Sequence, residues 1–495
     1  MSTHELNQMI SLGLYKSVNM AVQMTASPSP QLLISRAFAL IDMKLYEDAL
    51  HAVESVDMFG LSQELANDLI EIRLTAHLKM NNPQKCCTII QSRDFSNRLL
   101  TPKLDLLVAQ VHMLNNPLPN PDHPAIPHLL RVLQRYPLAF ELIEKLIGIG
   151  AKIPEFILNS PNSCVKNYAH ALQLAESGDY KDAVRCLNQI LVTIPGCIPV
   201  LVKICQFAIA DNNTQLFEDT IVLIPENNLE VIELRAVNLK QQQKKTQLNQ
   251  VVLRALNTDP TSANAWIAFS HLLEANGDQQ RALQATRKAL ILEPNSRSGF
   301  MRHGELRLQR NDVVKAHSAF THVHTLNPAI DSFSAIVQCD CLLKNWEEAE
   351  SFAAGAVKRF KPDTYAGNMA ITLYGLAKRG TDPKKAAEIL RRCLEKDSGN
   401  IEALSALIEM HVKDNEFDQA ESLLMKHRNS KNIFFFNYKM AEIYSVKRDY
   451  QTAMDYAQQA LQIEPNNERA KDLLEQLEGV LRDNDDTFEE DEVDL

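Results

Sequence analysis

The chain has 495 residues, of which only 15 are Gly; a β-sandwich or barrel of this length needs many tight turns of the kind Gly supplies, so the composition argues against an all-β fold. The net charge of −11 is carried largely by the end of the chain, where Asp483 to Leu495 hold eight acids and no Lys or Arg. The remainder is close to neutral and lacks the basic footprint of a nucleic-acid reader. The Cys count is nine, odd and without a C-x-x-C spacing, which suits reduced thiols and not a disulfide framework.

In chain order, the first predicted element is an N-terminal amphipathic helix over Glu5 to Met24, with Leu6, Met9, Ile10, Leu12 and Leu14, and with Val18 and Val22 at helical spacing; it reads as a cap on the first repeat or as one half of a two-fold dimer contact. The opening has no basic flank followed by an apolar block, so no secretory signal is read there. Ser27-Pro28-Ser29-Pro30 breaks the helix. Ala37, Ala49 and the turn Lys44-Leu45-Tyr46 then mark a first helix pair. Residues 50–160 keep a helical period, as in Leu129-Leu130-x-Val132-Leu133 and Leu142-Ile143-x-x-Leu146. They are interrupted by Asn115 to His128, whose five Pro read as a loop. A clear unit follows, with Ala171, Ala183, Ile190 and Pro195 around the turn Ser177-Gly178-Asp179-Tyr180. The longest apolar run, Cys197 to Ala210, is broken by Lys203 and Gln206 and is too short to span a bilayer.

From about 255 to 475 the punctuation becomes regular. Pro260, Pro294, Pro328 and Pro362 stand 34 residues apart. Ala282, Ala316, Ala349, Ala420 and Ala453 mark one place in each unit, and Pro465 follows Ala453 at the same offset of twelve as Pro294 follows Ala282. Sixteen residues before these Ala lie large residues, Trp266, Phe300, Phe333 and Leu404; twelve before lie small ones, Ser270, Gly304 and Ala441. This resembles the tetratricopeptide repeat, a 34-residue helix–turn–helix unit. Small residues sit where the two helices cross, large ones fill the gap to the next unit, and Pro ends the second helix. One unit buries only one face, so units must stack. The expected fold is all-α, a right-handed superhelical solenoid of antiparallel helix pairs. Its division is an N-terminal helix at 1–26, a degenerate array at 31–160, a second array at 161–481 and an acidic, disordered tail at 482–495. The repeat-packing residues are Ala171, Ala183, Trp266, Ala282, Phe300, Gly304, Ala316, Ala349, Ala420, Ala441 and Ala453.

The sequence holds no phosphate-loop, dinucleotide, nucleophile-elbow or H-E-x-x-H motif. His303, His317, His322 and His324 cluster in one unit, but spacings of five and two do not set ligands on one helix face. Cys339-x-Cys341 and Cys86-Cys87 read as buried thiols. No catalytic residue, metal or cofactor is expected. What remains is surface: the first helices of stacked units line a concave groove, and the places one and five after the large residue should face it. These are Ile267 and His271, Met301 and Glu305, Ser334 and Gln338. They lack the basic set that clamps a peptide carboxylate.

The segments outside the repeats, in their order, resemble the subunit 7 family of the anaphase-promoting complex (cyclosome), a ubiquitin ligase of the cell cycle. The carrying segments are Gly13-Leu14-Tyr15-Lys16-Ser17-Val18, then Leu100-Thr101-Pro102-Lys103-Leu104 before Leu107-Val108-Ala109, then Val132-Leu133-Gln134-Arg135-Tyr136-Pro137-Leu138-Ala139, then Trp266 with Arg281-Ala282-Leu283, and Leu326-Asn327-Pro328, closed by the acidic tail. The family's tail runs longer past the last repeat. The resemblance implies a non-catalytic nuclear and cytoplasmic scaffold. Such a scaffold homodimerises through its N-terminal half, stacks on sibling repeat subunits and supports co-activator and substrate engagement, with no nucleic-acid or membrane partner. It places Leu6, Ile10, Leu14, Ala37 and Ala49 in the dimerising half and Ile267, His271, Met301 and Glu305 in the half that meets partners. A peptide-binding adaptor or co-chaperone outside this complex is the other reading. An enzyme hidden in residues 50–160 would instead require non-helical structure there.

Overall fold

The computed structural model describes residues 3–58, 60–92, 95, 100–116, 120–428, 433–464 and 467–491, without the side chains of 3, 468 and 481–491. Among the described residues the secondary structure is helical, with no strand. Helix pairs succeed one another along the chain: Pro30–Asp42 with Tyr46–Ala52, Gln63–Lys79 with Pro83–Ile90, Pro102–Asn115 with Ile126–Arg135, Ser163–Glu176 with Tyr180–Thr193, Ile198–Ala210 with Thr214–Ile221, and Ile232–Gln241 with Lys245–Thr258. The regular stretch continues with Ala263–Ala275 and Gln279–Leu292, Arg297–Gln309 and Val313–Leu326, Ile330–Leu343 and Trp346–Arg359, Tyr365–Lys378 and Pro383–Lys396, Ile401–Lys413 and Phe417–Lys426, and Ile433–Val446 and Tyr450–Ile463. The fold is the tetratricopeptide-repeat solenoid that the 34-residue period predicts. The described residues of 50–160 are largely helical as well, so helix pairing outlasts the motif.

The local chemistry repeats with the helices. The second helix of a unit begins on an Asp whose carboxylate accepts a backbone N–H three residues on, at Asp179, Asp278, Asp382 and Asp449. It ends just before the periodic Pro. Asp259, Glu293 and Asn327 are extended, as a residue before Pro must be, and each still donates its N–H to a carbonyl four residues back. The turn inside the unit needs one left-handed residue. Gly277 and Gly178 fill it in two units, but Asn311, Lys344, Asn415 and Arg448 fill it in others. That is how so few Gly serve so many turns.

The residues of the repeat register lie mostly inside the solenoid. Ala171, Ala183, Ala282, Ala316, Ala349, Ala420, Ala441 and Ala453 are fully buried, and Trp266 and Phe300 are half-buried between units. Gly304 lies buried against the ring of Phe320, where a Cβ would come within 2.4 Å of Cε1. One hydrophobic cluster extends from Ala109 through Ile157 and Val165 to Phe207, straddling the boundary drawn between 160 and 161.

Three expectations need amending. The N-terminal helix is two helices, Thr3–Ser11 and Tyr15–Gln23, because Gly13 takes a left-handed turn (φ 75°) that closes the first. The Pro-rich segment is more ordered than a plain loop: His123 is buried and its ring bonds the Asn116 carbonyl (2.8 Å) and accepts the Ala125 N–H (3.1 Å), while Pro127 opens the helix Ile126–Arg135. The last helix runs from Glu468 to Asp491, into the segment read as a disordered tail. Pro465 and residues 492–495 lie outside the described residues.

Candidate protein-interaction surfaces

In the regular stretch the first helices of several successive units pack against one another. The places predicted to face a groove do so unequally. Ile267 is fully buried and His271 nearly so. Met301 and Glu305 are half-buried, Ser334 is half-buried and Gln338 is exposed. The expectation that Ile267 and His271 are free groove residues is therefore corrected. Ile267 turns into its own helix pair, against Ala263 and Ala289, while His271 is enclosed beside Arg302 and Lys240 of the neighbouring units.

A charged network beside His271 runs through three units. Glu274, at the end of Ala263–Ala275, accepts from Lys240 of the preceding unit and from Arg302 of the following one, and also from Gln309 Nε2 at 2.7 Å. Arg302, only 3% exposed, donates further to Ser270 Oγ (3.1 Å) and to Glu305 (3.1 Å). Burial pushes the Glu274 carboxyl up, but Arg302, Lys240 and Gln309 outweigh it and hold it at about 2. The same burial, with the positive charges of Arg302 and Lys240, keeps His271 neutral, its pKa well below the ordinary value. In the preceding unit, burial pushes half-buried Glu233 up to about 7, the charge of Glu305 adding to it and Ser298, Arg302 and Arg297 opposing it. Sequence reasoning missed this network, although its signal was present: Lys240 and Glu274 stand one 34-residue period apart.

The four clustered histidines separate. His303 bonds the Thr286 hydroxyl (3.0 Å), and burial and the Arg307 and Arg287 charges hold its pKa at about 4. His317 pairs with buried Asp340 (3.1 Å), and His322 lies on the Phe300 ring. His324 bonds Ser332 between the Phe333 and Phe352 rings. Among the described residues no group of His, Cys, Asp or Glu is placed to hold a metal ion. All nine thiols are free; burial pushes Cys86 and Cys341 up to about 11 and Cys339 to about 12, which suppresses thiolate chemistry at these three. No described helix is long and apolar enough to cross a membrane.

At the N-terminal end the predicted contact residues also divide. Leu6, Ala37 and Ala49 are fully buried within the chain, since they knit the first helices to one another. They are corrected from surface to core. Ile10 is half-buried, and Leu14 is exposed. Leu14 has apolar company on the same two helices and the turn between them: Leu12 is 73% exposed, Met20 57% and Met24 73%. Leu12 belongs to the apolar set read from the sequence, while Met20 and Met24 were not singled out there.

The tetratricopeptide repeat family model matches residues 379–432. Anaphase-promoting complex subunit 7 of Arabidopsis thaliana is 23% identical over 447 residues, covering 86% of this chain and 78% of that protein. Anaphase-promoting complex subunit 7 of Homo sapiens is 20% identical over 414 residues, covering 81% of this chain and 72% of that protein. Among solved structures, the crystal structure of the APC/C hetero-tetramer Cut9–Hcn1 superposes with a TM-score of 0.59 and 15% identity, covering 95% of both chains. The last likeness concerns the fold.

Proposed function

We propose that this tetratricopeptide-repeat chain, similar along most of its length to subunit 7 of the anaphase-promoting complex in plant and human, is a non-catalytic scaffold subunit of that ubiquitin ligase, working in the cell cycle in nucleus and cytoplasm. The observation that carries the reading is the combination of this likeness over most of the chain with a solenoid built of helix pairs between Pro30 and Ile463, interrupted by Phe140–Gly148 and the short Glu155–Leu158. A stack of helix pairs offers long edges and faces to other proteins. Sibling repeat subunits are the partners this reading assigns, with co-activator and substrate engagement supported by the assembled scaffold.

The finer part of the reading is self-association through the N-terminal half. Its support is the exposed apolar set Leu12, Leu14, Met20 and Met24, with Ile10 beside it. Burying such a set against a second copy removes apolar surface from water at about 25 cal/mol per Å², and a two-fold pairing uses the same patch twice. Mixing the purified chain with a purified sibling repeat subunit and following co-elution on size exclusion tests the scaffold reading. A shared peak supports it, and independent elution at micromolar concentration counts against it.

A further inference from the structure

A repeat solenoid ordinarily holds contacts only between neighbouring units, which makes its stability a sum of local terms. This one also touches itself far along the chain. The turn Ser177-Gly178-Asp179, between the helices Ser163–Glu176 and Tyr180–Thr193, lies against the segment Phe360–Ala366, which links Trp346–Arg359 to Tyr365–Lys378. The backbone N–H of Lys361 donates to the Ser177 carbonyl at 2.8 Å. Lys361 Nζ donates to Asp179 Oδ2 at 2.6 Å, across 182 residues of sequence. Arg359 pairs with Glu176 at 3.5 Å. Gly178, left-handed at φ 80°, sits so close that a Cβ there would stand 2.7 Å from Ala366 Cβ and 3.1 Å from the Phe360 ring. Apolar residues from both sides, Tyr180, Val184, Phe333, Phe360 and Ala366 among them, belong to one buried cluster.

The separation of 182 residues is about five repeat lengths of 34. The chain therefore makes one superhelical turn between the two segments and meets its own edge. Between the two segments the units are also tied to their neighbours by buried Arg302, which bonds Ser270 and Glu274 of the unit before it. We infer that the 176–179 turn and the 359–366 segment form a clasp that closes one turn of the superhelix and locks its pitch. The stretch 163–378 then behaves as a single cooperative ring. Partners of the shut form dock on its rims and outer face, and entry to the inner side requires the clasp to open. This inference is independent of which complex the chain serves.

Hydrogen–deuterium exchange on the full chain tests it. Lys361→Glu sets a like charge opposite Asp179 on a side chain that is largely exposed, so the helices that flank it stay folded. The clasp then opens more often, and peptides covering 174–180 and 359–364 exchange faster together, by about fivefold or more, while peptides from 401–426 are unchanged. Gly178→Asn, a residue type that tolerates the left-handed φ, gives the same paired response through the steric contact of its Cβ with Ala366. The small-angle scattering radius of gyration rises in both variants. Faster exchange confined to 359–364 in Lys361→Glu, with 174–180 and the radius of gyration unmoved, would overturn the clasp.

Discussion

Gly304 is the place where the logic of the repeat can be tested with one atom. It sits on the first helix of its unit at the crossing with the second, and a Cβ added there would stand 2.4 Å from Phe320 Cε1 and 2.8 Å from Cδ1 and Cζ. Ordinary carbon contacts lie at about 3.5–4.0 Å, so the ring or the helix must retreat by about 1 Å. Phe320 is 1% exposed and is enclosed by Ala316, Ala335, Ile336 and Cys339, which leaves it nowhere to go. Overpacking of this kind costs about 1–3 kcal/mol. Replacing a helical Gly by Ala returns about 1 kcal/mol of helix propensity, so Gly304→Ala should lose about 0–2 kcal/mol. Gly304→Val adds two methyls in the same space and keeps less of the propensity gain, so its loss should be about 2–4 kcal/mol. Urea titration followed by circular dichroism at 222 nm measures both. The decisive variant is Gly304→Val with Phe320→Leu: the smaller side chain makes room, and the double variant should be more stable than the two single losses add up to, by about 1 kcal/mol or more. Wild-type stability in Gly304→Val, or strict additivity in the double variant, would refute the close-approach reasoning.

Further expectations follow from the charged network and the N-terminal surface. Glu274→Ala leaves buried Arg302 without its main partner and should cost about 3–5 kcal/mol in chemical unfolding. In the wild type, the depressed Glu274 pKa contributes stability fully present above its unfolded value near 4.5 and lost as pH falls toward about 2; an acid melt should show that loss and the Ala variant should lack it. Glu233 has the opposite sign. Its pKa, raised to about 7, means stability is lost as pH rises from about 4.5 through 7; Glu233→Gln should flatten Tm against pH over that window. Leu12→Asp with Leu14→Asp should turn a dimer into a monomer in light scattering while the helical circular dichroism signal is kept, because both side chains are exposed in the single chain, and Tm should lose its dependence on protein concentration.

Much of this molecule was legible in its residues, and the parts that were not share a cause. The Ala and Pro register located the helix pairs because the close crossings and the helix stops depend on residue type alone, and helix pairing carried over to units whose motif had decayed. The groove residues were misjudged at Ile267, which turns into its own helix pair, and at His271, whose exposure depends on where Arg302 lays its guanidinium. Leu6, Ala37 and Ala49 were placed in a contact region but pack inward; an apolar stripe looks the same whether its partner is a neighbouring helix or another copy. The clasp joins residues 182 apart, a distance at which no periodicity speaks. Gly178 was visible as a turn, while its second duty against Ala366 was not.

The central claim is that the chain is a protein-holding member of a ubiquitin ligase assembly. Its most direct test is affinity purification of the tagged full-length chain from cells of its own source, followed by mass spectrometry of what accompanies it. The account expects other anaphase-promoting complex subunits in stoichiometric amounts, sibling repeat subunits first. A preparation that contains the folded chain with none of them, or with chaperones in their place, would contradict it.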